Sequence, residues 1–228
     1  MSRGKAILMA AVLVCSLTGA AVSTVKVEKF NSRPYLHDNL YLPSGKLVEQ
    51  IALGYREMVA DLIWFNVVQY YGSYRQAHHD LAYFEGVINI VTDLDPYFTF
   101  PYVFGAAVMS QDLGRTDRAI ELLKKGMAHN PTNWEFPFEI GFISYIDARD
   151  NKTAAHYFEL ASKLPGGGDK ARRFAAFVYS QGGHEEKSIR MWELIIEESE
   201  NPWMRELAER SLKRLLEQQQ KEANRAEL

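Results

Sequence analysis

Apolar residues recur at helical spacing in successive segments of this chain, and turns rich in glycine, proline and polar residues separate the segments. Apolar residues three and four positions apart share one face of a helix. Proline ends such a helix because it has no N–H to donate to the preceding turn. The pattern predicts pairs of antiparallel helices, and it lacks the bounded alternating runs that indicate strands.

Two short motifs repeat nearly the same residues 36 positions apart. Residues 100–105 and 136–141 both read Phe-Pro-aromatic-x-apolar-Gly. Pro96, Pro131 and Pro165 mark the same region at steps of 35 and 34 residues. A period near 34 residues is typical of a solenoid of helical hairpins. Solenoids bind partners with extended surfaces.

These units resemble the tetratricopeptide repeat, whose two helices carry small and large residues at set positions. The matches are Gly105, Gly114, Ala119, Leu123 and Pro131, then Gly141, Ala154, Phe158, Ala161 and Pro165, then Gly183, Ser188, Trp192 and Pro202. The likeness covers roughly residues 60–200. It implies an all-α, right-handed solenoid of antiparallel helical hairpins that binds a protein or peptide. The alternative is an irregular helical bundle with a chance repeat.

The pattern also predicts how the solenoid begins and ends. Residues 45–71 read as one long helix, or as two helices broken near Gly54. Residues 203–216 form an amphipathic helix that would cap the solenoid. We therefore divide the chain into residues 1–23, a linker at 24–44, the solenoid at 45–216 and a polar, fraying tail at 217–228. Within the second unit, Thr132 and Glu135 fit a helix-starting capping box.

The N-terminus predicts export from the cytoplasm. Arg3 and Lys5 precede an uncharged apolar stretch, residues 6–22, and small residues at positions 21 and 23 fit a signal-peptide cleavage site. The stretch is also nearly long enough for an uncleaved inner-membrane anchor. Either outcome places the following domain in the periplasm. Residues 42–64 look like the leading segment of uncharacterised exported bacterial repeat proteins, a likeness that brings no function.

Composition excludes several function classes. Cys15 is the only cysteine and lies in the apolar stretch, so the mature domain has no thiol for catalysis. Loss of the first 23 residues changes the net charge from −3 to −5, because Arg3 and Lys5 leave without an acid. A mildly acidic domain is a poor nucleic-acid binder.

No group of residues in the sequence indicates an enzyme, a cofactor or a metal. His78 and His79 are adjacent and would point apart on a helix, and no third ligand follows at a suitable spacing. Residues 166–168 are glycines, but they lack the preceding strand of a phosphate-binding loop. The histidines are therefore expected to lie in a solvated turn.

Aromatic residues are concentrated in the first helix of each predicted hairpin. The resemblance implies that this helix lines the peptide-binding groove, and the candidate partner-binding residues are Tyr97, Tyr102, Trp134, Phe138 and Tyr145. The alternative is that all of these rings pack between units. Two functions remain open: an exported, non-enzymatic scaffold for a protein partner in envelope assembly or secretion, or a structural subunit of a membrane complex held by an uncleaved N-terminal helix.

Overall fold

The computed structural model describes Val48, residues 52–77 and residues 80–226. These residues form nine α-helices and no strand. The helices are α1 (Arg56–Ala77), α2 (Phe84–Leu94), α3 (Thr99–Gln111), α4 (Thr116–His129), α5 (Glu135–Ile146), α6 (Asn151–Ser162), α7 (Gly168–Gln181), α8 (Glu185–Glu198) and α9 (Pro202–Ala226). None of them has the length and apolar content that a membrane crossing needs. The predicted anchor at residues 6–22 lies outside the described residues.

Each helix packs against the next one along the chain, and the first helices of successive hairpins also touch. We call α1, α3, α5 and α7 the A helices, and α2, α4, α6 and α8 the B helices. Helix α9 packs on α8 at the end of the stack. The fold is therefore the predicted all-α solenoid of helical hairpins with a C-terminal capping helix.

The structural repeat is 35 residues, one fewer than the spacing of the sequence motif. Leu113 N–H donates to Val108 and, in the next unit, Ala148 N–H donates to Ile143. When α3 and α5 are aligned with a shift of 35 residues, nearly all of their buried and exposed positions coincide. Gly105 therefore does not correspond to Gly141, and the two glycines approach different neighbours. A Cβ on Gly105 would lie 2.8 Å from Ile88, whereas one on Gly141 would meet Phe158 at 2.9 Å.

The turns after α3 and α5 each contain a residue with left-handed backbone. Gly114 adopts φ = 63° after α3, as its lack of a side chain allows. The corresponding residue after α5 is Arg149, with φ = 54°. A side chain at such an angle is strained by roughly 1–2 kcal/mol. The glycine that indicates this turn in the sequence is thus present after α3 and missing after α5, although both residues adopt left-handed backbone angles.

Large aromatic side chains fill the contacts between hairpins. Tyr102 of α3 and Phe136 of α5 are both fully buried, and their rings meet edge to face with centroids 5.7 Å apart. Gly126 of α4 lies against both rings, since a Cβ there would be 2.5 Å from Phe136. Because Gly126 has no side chain, the two aromatic rings can pack directly against α4.

A hydrogen bond of one type links the first three A helices. Tyr71 of α1 donates its hydroxyl to Asp112 after α3, at 2.9 Å. Ser110 of α3 donates to Asp147 after α5, at 2.6 Å. The two aspartates are 35 residues apart and hold the same position in their units. The corresponding residue after α7 is Gly182, which has no side chain to accept such a bond.

Three predictions about where helices begin and end agree only partly with the structure. The predicted break near Gly54 is present, with φ = 92°, but α1 continues to Ala77. The capping-box prediction is wrong: α5 begins at Glu135 and not directly after Thr132, and the N–H of Glu135 donates to the side chain of Asn133 at 2.9 Å. Helix α9 runs through the predicted tail to Ala226, and Gln219 within it donates to Glu185 of α8, at 2.6 Å.

Candidate functional site

The outward side chains of α3, α5 and α7 form one continuous surface, which we call the helix-A face. Its members recur at 35-residue steps: Phe100, Phe104, Ala107 and Gln111 on α3, then Glu135, Glu139, Phe142 and Ile146 on α5, then Lys170, Phe174, Phe177 and Gln181 on α7. Ring contacts join neighbouring helices. The Phe142 and Phe174 centroids are 6.5 Å apart, and those of Tyr145 and Phe177 are 5.9 Å apart.

Exposed large apolar side chains distinguish this face from the side formed by the B helices. Phe100, Ile146 and Phe177, one on each of the three A helices, are 56, 51 and 46 % exposed. Among the described residues, α2, α4, α6 and α8 carry no comparably exposed large apolar side chain. Exposed apolar patches that are bordered by polar residues mark interaction sites. The asymmetry therefore points to the helix-A face.

Charges of both signs lie among these rings. Burial raises the pKa of the Glu139 carboxyl, an effect that Lys170 opposes and Glu135 reinforces. The Lys170 ammonium lies 4.4 Å from the centre of the Phe138 ring, and the Arg173 guanidinium lies 5.4 Å from the Phe174 ring. Cations over aromatic faces are attracted by the ring quadrupole. This surface can thus contact apolar groups and satisfy charged or polar groups beside them.

Two of the five predicted partner-binding residues lie in the core. Tyr102 is fully buried, and its hydroxyl donates to the Thr92 carbonyl at 3.2 Å. Burial raises the pKa of Tyr102 to about 12, and Asp93 and Asp95 add to the shift. Phe138 is 4 % exposed and packs on Phe158. Neighbouring helices enclose both rings, since Tyr102 also packs on Phe136 and Phe138 on Phe174, so neither ring can contact a partner on the surface.

The other three predicted residues lie at the surface or at its edge. Tyr97 is 72 % exposed in the turn before α3, with its ring edge-on to His129. Trp134 is half-buried at the start of α5 and packs against the turn at Gly166. Tyr145 is half-buried beside Phe177. Tyr145 therefore adjoins the helix-A face, whereas Tyr97 and Trp134 lie near the helix starts.

Sequence reasoning left Phe100, Ile146 and Phe177 out of the predicted set. Each lies at a position that is exposed in the 35-residue register. The sequence pattern that could have identified such residues is helical spacing. On α5, steps of four, three and four residues place one set of side chains on the same face: Glu135, Glu139, Phe142 and Ile146.

An open cleft lies among the described residues. A cleft of about 500 Å³ lies between residues 54–58 and residues 94–97, and Tyr97 lines it. Its polar residues include Arg56, which donates to the Asp93 carbonyl at 2.9 Å. No group of three potential metal ligands is present among the described residues. His78 and His79 lie outside them, so their predicted solvated turn stays a prediction.

Comparison with solved structures finds helical proteins of low similarity. Two crystal structures of MamA each share 23 % identity with the chain at a TM-score of 0.41. Each match covers 62 % of this chain, and 91 % and 85 % of those chains. A structure of a MamA mutant shares 25 % identity at a TM-score of 0.36, and the match covers 53 % of this chain and 93 % of that one. No family model matches the sequence, and no curated protein is significantly similar to it.

Proposed function

We propose that this protein is a non-enzymatic scaffold that binds a segment of a partner protein along the helix-A face. The observation that carries the proposal is the row of exposed apolar side chains on α3, α5 and α7, beside B helices whose described residues expose none of comparable size. Burying these side chains on binding favours a complex, because it removes apolar surface from water.

The chemistry of the face suggests the kind of segment that fits it. Phe100 and Phe177 supply aromatic anchors at its two ends, and aromatic anchors usually dominate protein interfaces. Glu139 on α5 and Lys170 on α7 also belong to the face and carry opposite charges. A partner segment with apolar side chains and neighbouring polar groups of both signs would match this arrangement.

Site-specific photo-cross-linking tests the proposal. A photoreactive amino acid is placed at Phe100 or Phe177, and at Glu121 or Arg190 on the B helices as matched exposed controls. In intact cells of the source, the helix-A positions should cross-link to the same partner protein, and the controls should not. Cross-linking of equal yield at the B-helix positions would contradict the proposal, as would the absence of a common product.

We further propose that the scaffold works outside the cytoplasm, in envelope assembly or secretion. The support is the apolar stretch at residues 6–22 with its basic flank. Because this stretch is nearly long enough to span a bilayer, a structural subunit of a membrane complex is the second candidate. Mass spectrometry of the mature N-terminus separates the two: a start near residue 24 favours the soluble scaffold, and an intact N-terminus favours the membrane subunit.

A further inference from the structure

Helix α1 exposes an apolar row along part of its length. Tyr55, which directly precedes α1, is followed by Met58, Leu62 and Phe65, and the same spacing continues to Gln69 and Gly72. The steps alternate between three and four residues, which is the seam of a two-helix coiled coil. Tyr55, Met58, Leu62 and Phe65 are 67, 56, 59 and 62 % exposed. We call these six residues the α1 stripe.

The stripe borders the side of α1 where a preceding hairpin would pack. In α3 and α5, the positions on that side are Pro101 and Phe136, and both are buried. The corresponding residue of α1 is Asn66, which is exposed. The described solenoid therefore starts with an uncovered apolar edge, whereas its other end is covered by α9.

The two ends of the solenoid do not match each other. Helix α9 exposes Trp203 and Leu216, but the exposed residues between them in the sequence are mostly charged and include Arg205, Glu206, Glu209 and Arg210. A charged outer surface cannot cover an apolar stripe without desolvating its charges. Stacking of one copy's first hairpin on another copy's last helix is therefore unfavourable, and a second stripe is a better match.

We infer that the α1 stripes of two copies pack against each other in an antiparallel pair. With the two-fold axis between Leu62 and Phe65, each Leu62 faces the other copy's Phe65. Tyr55 then faces Gly72, so that the largest side chain of the stripe meets the smallest. A parallel pair would instead place Gly72 opposite Gly72 and Tyr55 opposite Tyr55, which leaves a gap at one end and crowding at the other.

The stripe supplies more than half of the area that each partner of a stable dimer usually buries. The four apolar residues of the stripe expose roughly 500 Å² of side chain per copy, given about 150–250 Å² for each large side chain. The neighbouring polar positions would add to this. Stable interfaces bury about 800 Å² per partner. A two-fold pairing uses the same surface of both copies. It therefore forms a dimer and leaves no free copy of that surface on which a fibre could grow.

The test is native mass spectrometry of the full chain released from a mild detergent. The wild type should have twice the chain mass of 26.1 kDa. Leu62→Glu and Phe65→Lys should each be monomeric at the same concentration, because each places a charge against an apolar side chain. Phe177→Glu is the matched control, similarly apolar and exposed but on α7, and it should stay dimeric.

Mixing the two monomeric variants tests the antiparallel geometry. In a mixed pair, the carboxylate introduced at position 62 faces the ammonium introduced at position 65, so a heterodimer should form. A monomeric wild type would overturn the inference, and so would a dimer that survives Leu62→Glu. Failure of the mixed pair to form would exclude the antiparallel arrangement. Unchanged helical circular dichroism is expected for both variants, because neither side chain belongs to the core.

Discussion

Substitution of one buried glycine tests the packing of the aromatic core. Alanine normally stabilises a helix relative to glycine by up to about 1 kcal/mol. Gly126 lies inside α4, but a Cβ there would be 2.5 Å from one carbon of the Phe136 ring and 3.0 Å from the Tyr102 ring. Carbon atoms in contact are normally about 3.5–4.0 Å apart. Gly126→Ala therefore needs a shift of roughly 1 Å, the difference between these two distances.

Neither ring has room to make that shift freely. Phe136 and Tyr102 are both fully buried and pack edge to face against each other. Overpacking a closed core costs about 1–3 kcal/mol. This cost exceeds the gain in helix propensity, so we expect Gly126→Ala to lower the free energy of unfolding by about 1–2 kcal/mol. The melting temperature should fall by roughly 2–8 °C in a domain of this size.

The measurement is urea unfolding followed by circular dichroism. Gly86→Ala is the control, because Gly86 is also helical but has no atom within 4 Å of its Cβ position. That variant should be as stable as the wild type or more stable. Adding Phe136→Leu to Gly126→Ala should cost less than the sum of the two single changes, because the smaller side chain vacates the overlap. If Gly126→Ala is at least as stable as the wild type, the packing argument is refuted.

Three further predictions follow from the site and the N-terminus. Tyr102→Ala should cost about 3–5 kcal/mol in urea unfolding, as a large core deletion does. Phe177→Ala should cost only about 1 kcal/mol, because roughly half of its side chain is already exposed; equal losses would show that both rings are core. Burial raises the pKa of the Glu139 carboxyl above its ordinary value of 4.5. The folded state therefore loses stability as the pH rises from that value through the raised pKa. Glu139→Gln should therefore raise the melting temperature at about pH 7 and leave it unchanged at about pH 3, and a reversed order would contradict the sign. A reporter active only outside the cytoplasm, fused after residue 42, should be active, and Leu13→Asp should reduce its activity, since a central charge costs about 2.5–3.5 kcal/mol in a membrane segment; full activity in the variant would argue against export by this segment.

The sequence was sufficient to predict the hairpins but not their register. Prolines and glycines mark the ends of helices, and these local signals predicted the correct order of A and B helices. The Phe-Pro motif repeats at 36 residues, yet the helices repeat at 35. Which residue faces outward depends on contacts between hairpins, and these contacts are not local. A shift of one residue turns a side chain by about 100° on a helix.

The mixed outcome for the predicted binding residues follows from selecting them by their aromatic side chains. Tyr102 was selected as an aromatic of an A helix, and it lies in the core. Phe177 belongs to the same class of residue and lies at the surface. Aromatic identity alone cannot separate the two, because a large ring suits both a core and an interface. The exposed row on α1 was similarly hidden. Apolar residues fall on more than one side of this helix, a pattern that predicts burial, yet Met58, Leu62 and Phe65 are exposed.

The hydrogen bonds from Tyr71 to Asp112 and from Ser110 to Asp147 bear on how the solenoid bends. Curvature in such a molecule is the sum of small rotations between neighbouring units. A bond from one A helix to the end of the next resists opening along that edge. Gly182 leaves the junction between α5 and α7 without this restraint. There the link comes from the preceding B helix instead, because the Tyr179 hydroxyl of α7 donates to the Glu159 carboxylate of α6 at 2.6 Å. The first junctions are therefore held along the edge of the A helices, and the last one is held between a B helix and the A helix that follows it.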